Sequence, residues 1–284
     1  MPLIRSLLVF ALALPLAACA QRDVPRNMSP TQTNEQGCTR KRSIGPQDAY
    51  AVPVPLKQAC VGPYLLELPQ NYYYNQMGPE HDGSFGLALE YPRLLPFKPG
   101  ERINPSVDVA VRTVTVDYAY IDRIDVRQVL RNAYTPRSYA PDDPAASLEG
   151  RIQGEPVHGL VPYFIDIQKI RNYQRARGIR ETASVMKSDS HYDWYVSHDA
   201  SGEIDQLIEC TPREIIESGV EYRDGKMVKK KVYGFAECKQ KFVIEELNTV
   251  VNVNYPREGL PNWRKMEARA RALLIDNIRR KEGK

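Results

Sequence analysis

Catalysis needs a nucleophile, a base or a metal within reach of one another, and the residue types that supply them are sparse in this 284-residue chain. The four histidines are His81, His158, His191 and His198. His191 and His198 bracket YDWYVS. If that segment is one strand, their offset sets the rings on opposite faces and roughly 23 Å apart, at about 3.3 Å per residue, too far to share a metal. His81 beside Asp82 has the types of half an acid/base pair, but the Gly-rich loop around it fixes no serine or cysteine nearby. No serine stands in G-x-S-x-G, the strained elbow of an α/β-hydrolase, and no histidine opens the H-E-x-x-H spacing of a zinc helix. The carboxylates are scattered, so no glycosidase-like pair stands out. The pattern points to no enzyme, no cofactor and no metal.

The five cysteines carry more information. Cys19 closes the stretch LPLAACAQ at the end of an apolar segment, MPLIRSLLVFALALPLAA, whose only charge is Arg5. A spanning helix needs about 20 apolar residues, whereas a basic start, a short apolar run and small residues before a cleavage point describe a secretory signal over 1–18. Leu16-Ala17-Ala18-Cys19 resembles the lipobox of bacterial lipoproteins, which implies that Cys19 is acylated and becomes the mature N-terminus. Several acyl chains at about 0.8 kcal/mol per buried CH₂ would hold the protein to a membrane without a spanning helix. Ala20 stands where lipoproteins kept in the inner membrane carry Asp, so the analogy implies the inner leaflet of the outer membrane, facing the periplasm.

Cys38, Cys60, Cys210 and Cys238 remain, an even number in an oxidising compartment. Three pairings are possible. Proximity in sequence favours Cys38 with Cys60 and Cys210 with Cys238, the second pair bracketing strand-like segments. No C-x-x-C spacing argues for zinc instead. Without residues 1–18 the chain has 38 basic and 35 acidic side chains, a net of +3. That near-balance lacks the dominant basic character of a nucleic-acid binder.

The elements that would position any site are mostly strands. Residues 19–58, rich in Pro, Gln, Asn, Arg and Ser, show no apolar period and read as a tether. CVGPYLLELP (60–69) and FGLALEYP (85–92) are strand candidates, and SVDVAVRTVTVD (106–117) alternates Val107, Val109 and Val111 with Asp108, Ala110 and Arg112. IDVRQVLRNAY then changes to a helical period with Asp125 as N-cap. Beyond a Pro-rich break at 135–145, ASLEGRIQG, VPYFIDIQKIR and HYDWYVSH read as strands. EIDQLIEC follows across a four-residue turn at Asp199, and an Asp-Gly turn lies at 224–225. NTVVNVNYP alternates Val251, Val253 and Tyr255 with Asn252 and Asn254, and a helix entered from Asn262 carries Trp263, Met266, Ala270, Leu273, Leu274 and Ile278 on one stripe. The fold class expected is α+β: an antiparallel, sheet-rich body with a C-terminal amphipathic helix, divisible into sub-domains at 59–140 and 141–284.

Two features beyond this scaffold concern a partner. ECKQKFVIEELNTVVNVNYPREGLPNWRKMEARARALL resembles the closing segment of the immunity proteins that bacteria use against type VI secretion lipase effectors, matching at Cys238, Phe242, Val251, Val253, Tyr255, Arg257, Leu260 and Trp263. CVGPYLLELP resembles that family's opening Cys-x-Gly-x-Tyr strand, with Pro63 where a basic residue is usual. The resemblance implies a non-catalytic periplasmic lipoprotein that binds and stoichiometrically inhibits a phospholipase or lipase effector. A structural or assembly lipoprotein of an envelope complex is the alternative. Tyrosine offers large amphipathic contact at small entropic cost, so the expected contact segments are Tyr72, Tyr73 and Tyr74 with His81 and Asp82, the hairpin tip at Asp199, and the loop holding Arg223, Asp224, Lys229 and Lys230.

Overall fold

The computed structural model describes residues 38, 48–75, 84–181, 186–215, 219–231 and 234–279. Cys19, His81 and Asp82, three of the expected site residues, lie outside these.

The described elements open with a hairpin of β1 (Leu56–Val61) and β2 (Tyr64–Pro69). Gly62 closes it at φ +53°, against the Tyr120 ring, where no Cβ would fit. The apolar run from Cys60 is therefore not one strand but the end of β1, a turn and β2. Next come β3 (Ser84–Glu90), β4 (Leu95–Pro96), α1 (Val107–Val111), β5 (Thr113–Tyr120) and α2 (Val126–Arg131). The second half supplies β6 (Arg151–Gln153), β7 (Val161–Ile165), α3 (Ile167–Ala176), β8 (Asp193–His198), β9 (Ile204–Cys210), β10 (Val220–Arg223), β11 (Lys226–Lys229), β12 (Glu237–Ile244) and β13 (Thr249–Pro256). A 3-10 turn at Arg257–Asn262 leads into α4 (Trp263–Ile275).

Among the described residues nine strands form one antiparallel sheet in the order β4-β3-β5-β13-β12-β9-β8-β7-β6, while β1-β2 and β10-β11 are separate hairpins. The expected sheet-rich α+β fold with a C-terminal helix is thus observed. β13 holds its centre, pairing Val253 with Val116 of β5 on one side and with Gln240 of β12 on the other. Two strand expectations fail for a shared reason. Over 107–111 the valine alternation gives way to α1, because the Ser106 hydroxyl accepts from Val109 N at 3.4 Å and Asp108 sits in the first turn. VPYFIDIQKIR likewise breaks at Asp166, whose carboxylate accepts from Gln168 N and Lys169 N and starts α3. In both places a local cap outweighs the apolar pattern.

The inner face of the sheet carries the core. Val114, Val116 and Tyr118 of β5, Val251, Val253 and Tyr255 of β13, and Phe242 of β12 are buried there with Trp263, Met266, Ala270, Leu273 and Leu274 of α4. Polar contacts fix the helix in register: Tyr118 Oη donates to Ala270 O at 2.8 Å, Trp263 Nε1 to His158 O at 3.0 Å, and Arg269 Nε to Leu94 O at 3.1 Å. Buried Gln240 bonds Gln206, which in turn bonds Glu267 of α4. The favoured disulfides are both formed, with Cα separations of 5.8 Å for Cys38–Cys60 and 4.0 Å for Cys210–Cys238. The second joins directly opposed residues of β9 and β12. A smaller cluster on the outer face sets Val126 and Leu130 of α2 against Trp194, Val196, Leu207, Val243 and Val250.

Candidate functional site

Outside the patch under α2, the outer face of the central strands is polar. Alternation along each strand turns Thr115 and Asp117 of β5, Asn252 and Asn254 of β13, Lys239 and Lys241 of β12, and Glu209 of β9 away from the core. Register lines them up in two rows across the sheet: Asp117, Asn252 and Lys241 in one, and Thr115, Asn254, Lys239 and Glu209 in the next. Asn254 Nδ2 donates to Thr115 Oγ1 at 3.0 Å, which stiffens the second row. Gly86 of β3 lies opposite Asp117, and a Cβ there would come within 2.7 Å of Asp117 Oδ1, so the glycine leaves room for the carboxylate over β3.

The charges in these rows are incompletely compensated. Among the described residues, none of Asp117, Glu209, Lys239 and Lys241 forms an ion pair within 4 Å. Burial raises the pKa of Asp117, with the Lys239 cation opposing it. Burial lowers that of Lys241, which Glu209 offsets and Lys239 reinforces. Asn252 Oδ1 is buried with no hydrogen-bond partner among the described residues. Partly desolvated polar groups without partners cost stability, and such groups concentrate at functional sites.

A cleft of about 500 Å³ lies at each end of the rows. One is lined by Tyr74, Arg102, Val109, Thr115, Phe235 and Asn254. The other includes Val129 and Ala133 at the α2 end, with Trp194, Glu209 and Lys241. Tyr74 and Phe235 are 60% and 47% exposed. Arg102 donates to the carbonyls of Asn71, Tyr73 and Tyr74, but its Nε is buried without a partner and burial lowers its pKa to about 10. No carboxylate among the described residues pairs with it.

The residues expected to touch a partner are dispersed. The tyrosine triplet splits: Tyr74 faces the first cleft, Tyr72 is half-buried with its Oη accepting from Arg269 at 3.1 Å, and Tyr73 is fully buried, donating to Lys57 O at 2.7 Å. Tyr73 is therefore a core residue rather than a contact, because the isolated bridge from Tyr73 to Leu87 draws its ring under β3. Asp199 closes the β8–β9 turn, accepting from Ser201 Oγ at 2.5 Å, Ser201 N at 2.8 Å and Glu203 N at 3.1 Å. The Ser201 hydroxyl leads the causes that hold its pKa below the usual range, and Arg127 of α2 lies 3.6 Å away. Asp224 takes the φ +49° turn position beside Gly225, Arg223 pairs with Glu221, Lys229 is exposed, and Lys230 N donates to Gly219 O at 2.9 Å. This hairpin packs near α1. Since α1 precedes β5 and α2 follows it, Asp199 and the Arg223–Lys230 loop lie toward opposite ends of the molecule.

Arg102, Asp117, Lys239, Lys241 and the two asparagines were not among the expected contacts. For Lys239, Lys241, Asn252 and Asn254 the signal is present in KQKF and NVNY, where alternation places a polar row on strands that turn out to be central, and for Arg102 and Asp117 no such signal stands out. Among the described residues no three His, Cys, Asp or Glu side chains converge as metal ligands, and no helix is long and apolar enough to cross a membrane.

No family model matches the chain, and no curated protein does. Among solved structures it is similar to an immunity protein of the Stenotrophomonas maltophilia type IV secretion system, with a TM-score of 0.69 and 25% identity over 78% of this chain and 93% of that one. The similarity supports the immunity-protein class that the terminal segments imply. The secretion system in the neighbour's case is type IV, so the type VI assignment is not carried by it.

Proposed function

We infer that this chain is an envelope immunity lipoprotein which binds a secreted toxic effector of the phospholipase or lipase class and blocks it stoichiometrically, without turnover. The observation that carries the reading is the shared fold with an immunity protein over nearly that protein's whole length. Three features support it: the resemblance of both terminal segments to lipase-immunity proteins, the two disulfides expected of an exported chain, and a sequence without a recognisable nucleophile, base and acid set. In this reading Cys19 anchors the body to the inner leaflet of the outer membrane, where a lipase entering the periplasm finds its substrate. Tethering raises the effective concentration of inhibitor at that surface. Delivery by a type VI machine is what the sequence resemblance implies, and the fold itself serves immunity in a type IV setting.

The test is co-expression. A lipase-domain effector encoded beside this chain's gene is exported to the periplasm of a host lacking both proteins, with and without the full lipoprotein. Survival restored only by the lipoprotein, together with a one-to-one complex on gel filtration, is the expected result. Lysis that the lipoprotein leaves unchanged, or the absence of any such neighbouring gene, refutes the lipase reading. Intact-mass analysis of the processed chain checks the anchor, which requires acyl groups on Cys19.

A further inference from the structure

Resting on that reading, we propose that the outer face between the two clefts, polar and uncovered among the described residues, is the effector-docking surface, and that its occupant is an acidic segment of the effector that seats a carboxylate between Lys239 and Lys241. Three observations carry this. The two lysines are separated by one residue on β12, so they project from the same face about 7 Å apart at the usual strand rise. They occupy the middle of the strip β5-β13-β12-β9 with neutral Asn254 and Asn252 opposite them on β13, while Asp117 stands on β5 and Glu209 lies directly opposite Lys239 on β9. Neither lysine has an ion-pair partner among the described residues, and burial already weighs against the charged form of Lys241.

The adjoining cleft extends the same chemistry. There Arg102, which pairs with no carboxylate among the described residues, sits with exposed Tyr74 and Phe235, the residue types that anchor protein interfaces, while Glu237 also lines the cleft. Cations left partly desolvated are complemented when a partner supplies the counter-charge, which also steers encounter. The carboxylates on the outer strands limit how far an acidic segment can extend, so a short loop or turn fits better than a long anionic polymer.

The experiment uses the full chain and, as probe, the purified product of the neighbouring effector gene with its nucleophile replaced. Binding is compared for wild type, the double variant Lys239→Glu/Lys241→Glu, and a control reversal at two exposed cations beyond α3, Arg180→Glu/Lys187→Glu. Each is first shown to melt like wild type. The expected result is at least a hundredfold loss of affinity for the β12 variant, a change under threefold for the control, and a salt dependence of wild-type binding that the β12 variant lacks. Wild-type binding that the β12 reversal leaves intact overturns the docking proposal and leaves the immunity reading standing. Failure of wild type to bind overturns both. A wild-type dimer, or adhesion to phosphatidylglycerol vesicles, that is abolished by the β12 reversal while effector binding persists assigns the face to a second copy or to lipid and also overturns the proposal.

Discussion

The two faces of the nine-stranded sheet are built from the same strands and the same period of two, yet their chemistry is opposite. On the inner face β5 and β13 present Val114, Val116, Tyr118, Val251, Val253 and Tyr255, sealed beneath α4. On the outer face the intervening residues are Thr115, Asp117, Asn252 and Asn254, with lysines from β12, and among the described residues α2 is the helix packed on that face, at one end. A sheet normally buries its apolar face against another layer and can leave the other to solvent. The difference locates stability on one side and recognition on the other, and this division can be tested by substitution.

The largest effect is expected at Trp263→Ala. Trp263 is 2% exposed, opens α4 and donates to His158 O. Truncation removes a large buried ring and orphans that carbonyl, so a loss of about 3 to 5 kcal/mol is expected from urea unfolding. A loss under about 1 kcal/mol would mean that α4 does not seal the inner face. Next in size is the paired replacement Cys210→Ala/Cys238→Ala, which opens a loop spanning a sequence separation of 28. The chain-entropy model gives about 3 to 4 kcal/mol for a loop of this length. Reduction of a Cys38→Ala/Cys60→Ala variant, in which Cys210–Cys238 is the remaining bond of the two, should approach the same loss.

How much of this was legible before the structure follows from where the deciding interactions lie. The inner face could be read because β13 and α4 write their periods over eight and thirteen residues with no competing signal. The Asp125 cap, the turns at Asp199 and Asp224, and the cysteine pairs are equally local in sequence. α1 was misread because five residues with alternating valines satisfy a strand pattern, and only the Ser106 hydroxyl decides otherwise. The outer face could not be assembled at all. Asp117, Asn252 and Lys241 come from three distant segments, and their alignment depends on β13 inserting between β5 and β12. Tyr73 shows the converse: next to an exposed tyrosine it looks like surface, and tertiary pairing takes it inside.

Asp193 provides a third, intermediate prediction, read from pH. It is 4% exposed at the start of β8 and accepts from Arg213 N at 2.8 Å. Burial pushes its pKa from the ordinary 3.8 up to about 6, against the pull of that hydrogen bond and of the Arg213 and Arg151 cations. Between those two values the folded chain holds a proton that the unfolded chain has released, so stability falls as pH rises through this window. Asp193→Asn, which keeps an oxygen to accept from Arg213 N, should flatten that part of the stability profile measured by thermal melts from pH 4 to 7. An unchanged slope would show that other carboxylates set it.

The smallest effect, and the most direct comparison with Trp263, is expected at Lys239→Ala. Lys239 is exposed in the middle of a central strand, where a side chain on the opposite face, such as Phe242, is fully buried. If the outer face is reserved for recognition, removing this ammonium should change unfolding free energy by no more than about 0.5 kcal/mol, the range of ordinary surface substitutions. Its neighbour Lys241 could even become easier to keep charged, because the like charge that lowers its pKa is gone. Loss of more than about 1 kcal/mol would instead make the lysine part of the scaffold, tied to Asp117 and Glu209 as an internal network. β12 would then serve stability on both of its faces, and the division between them would fail.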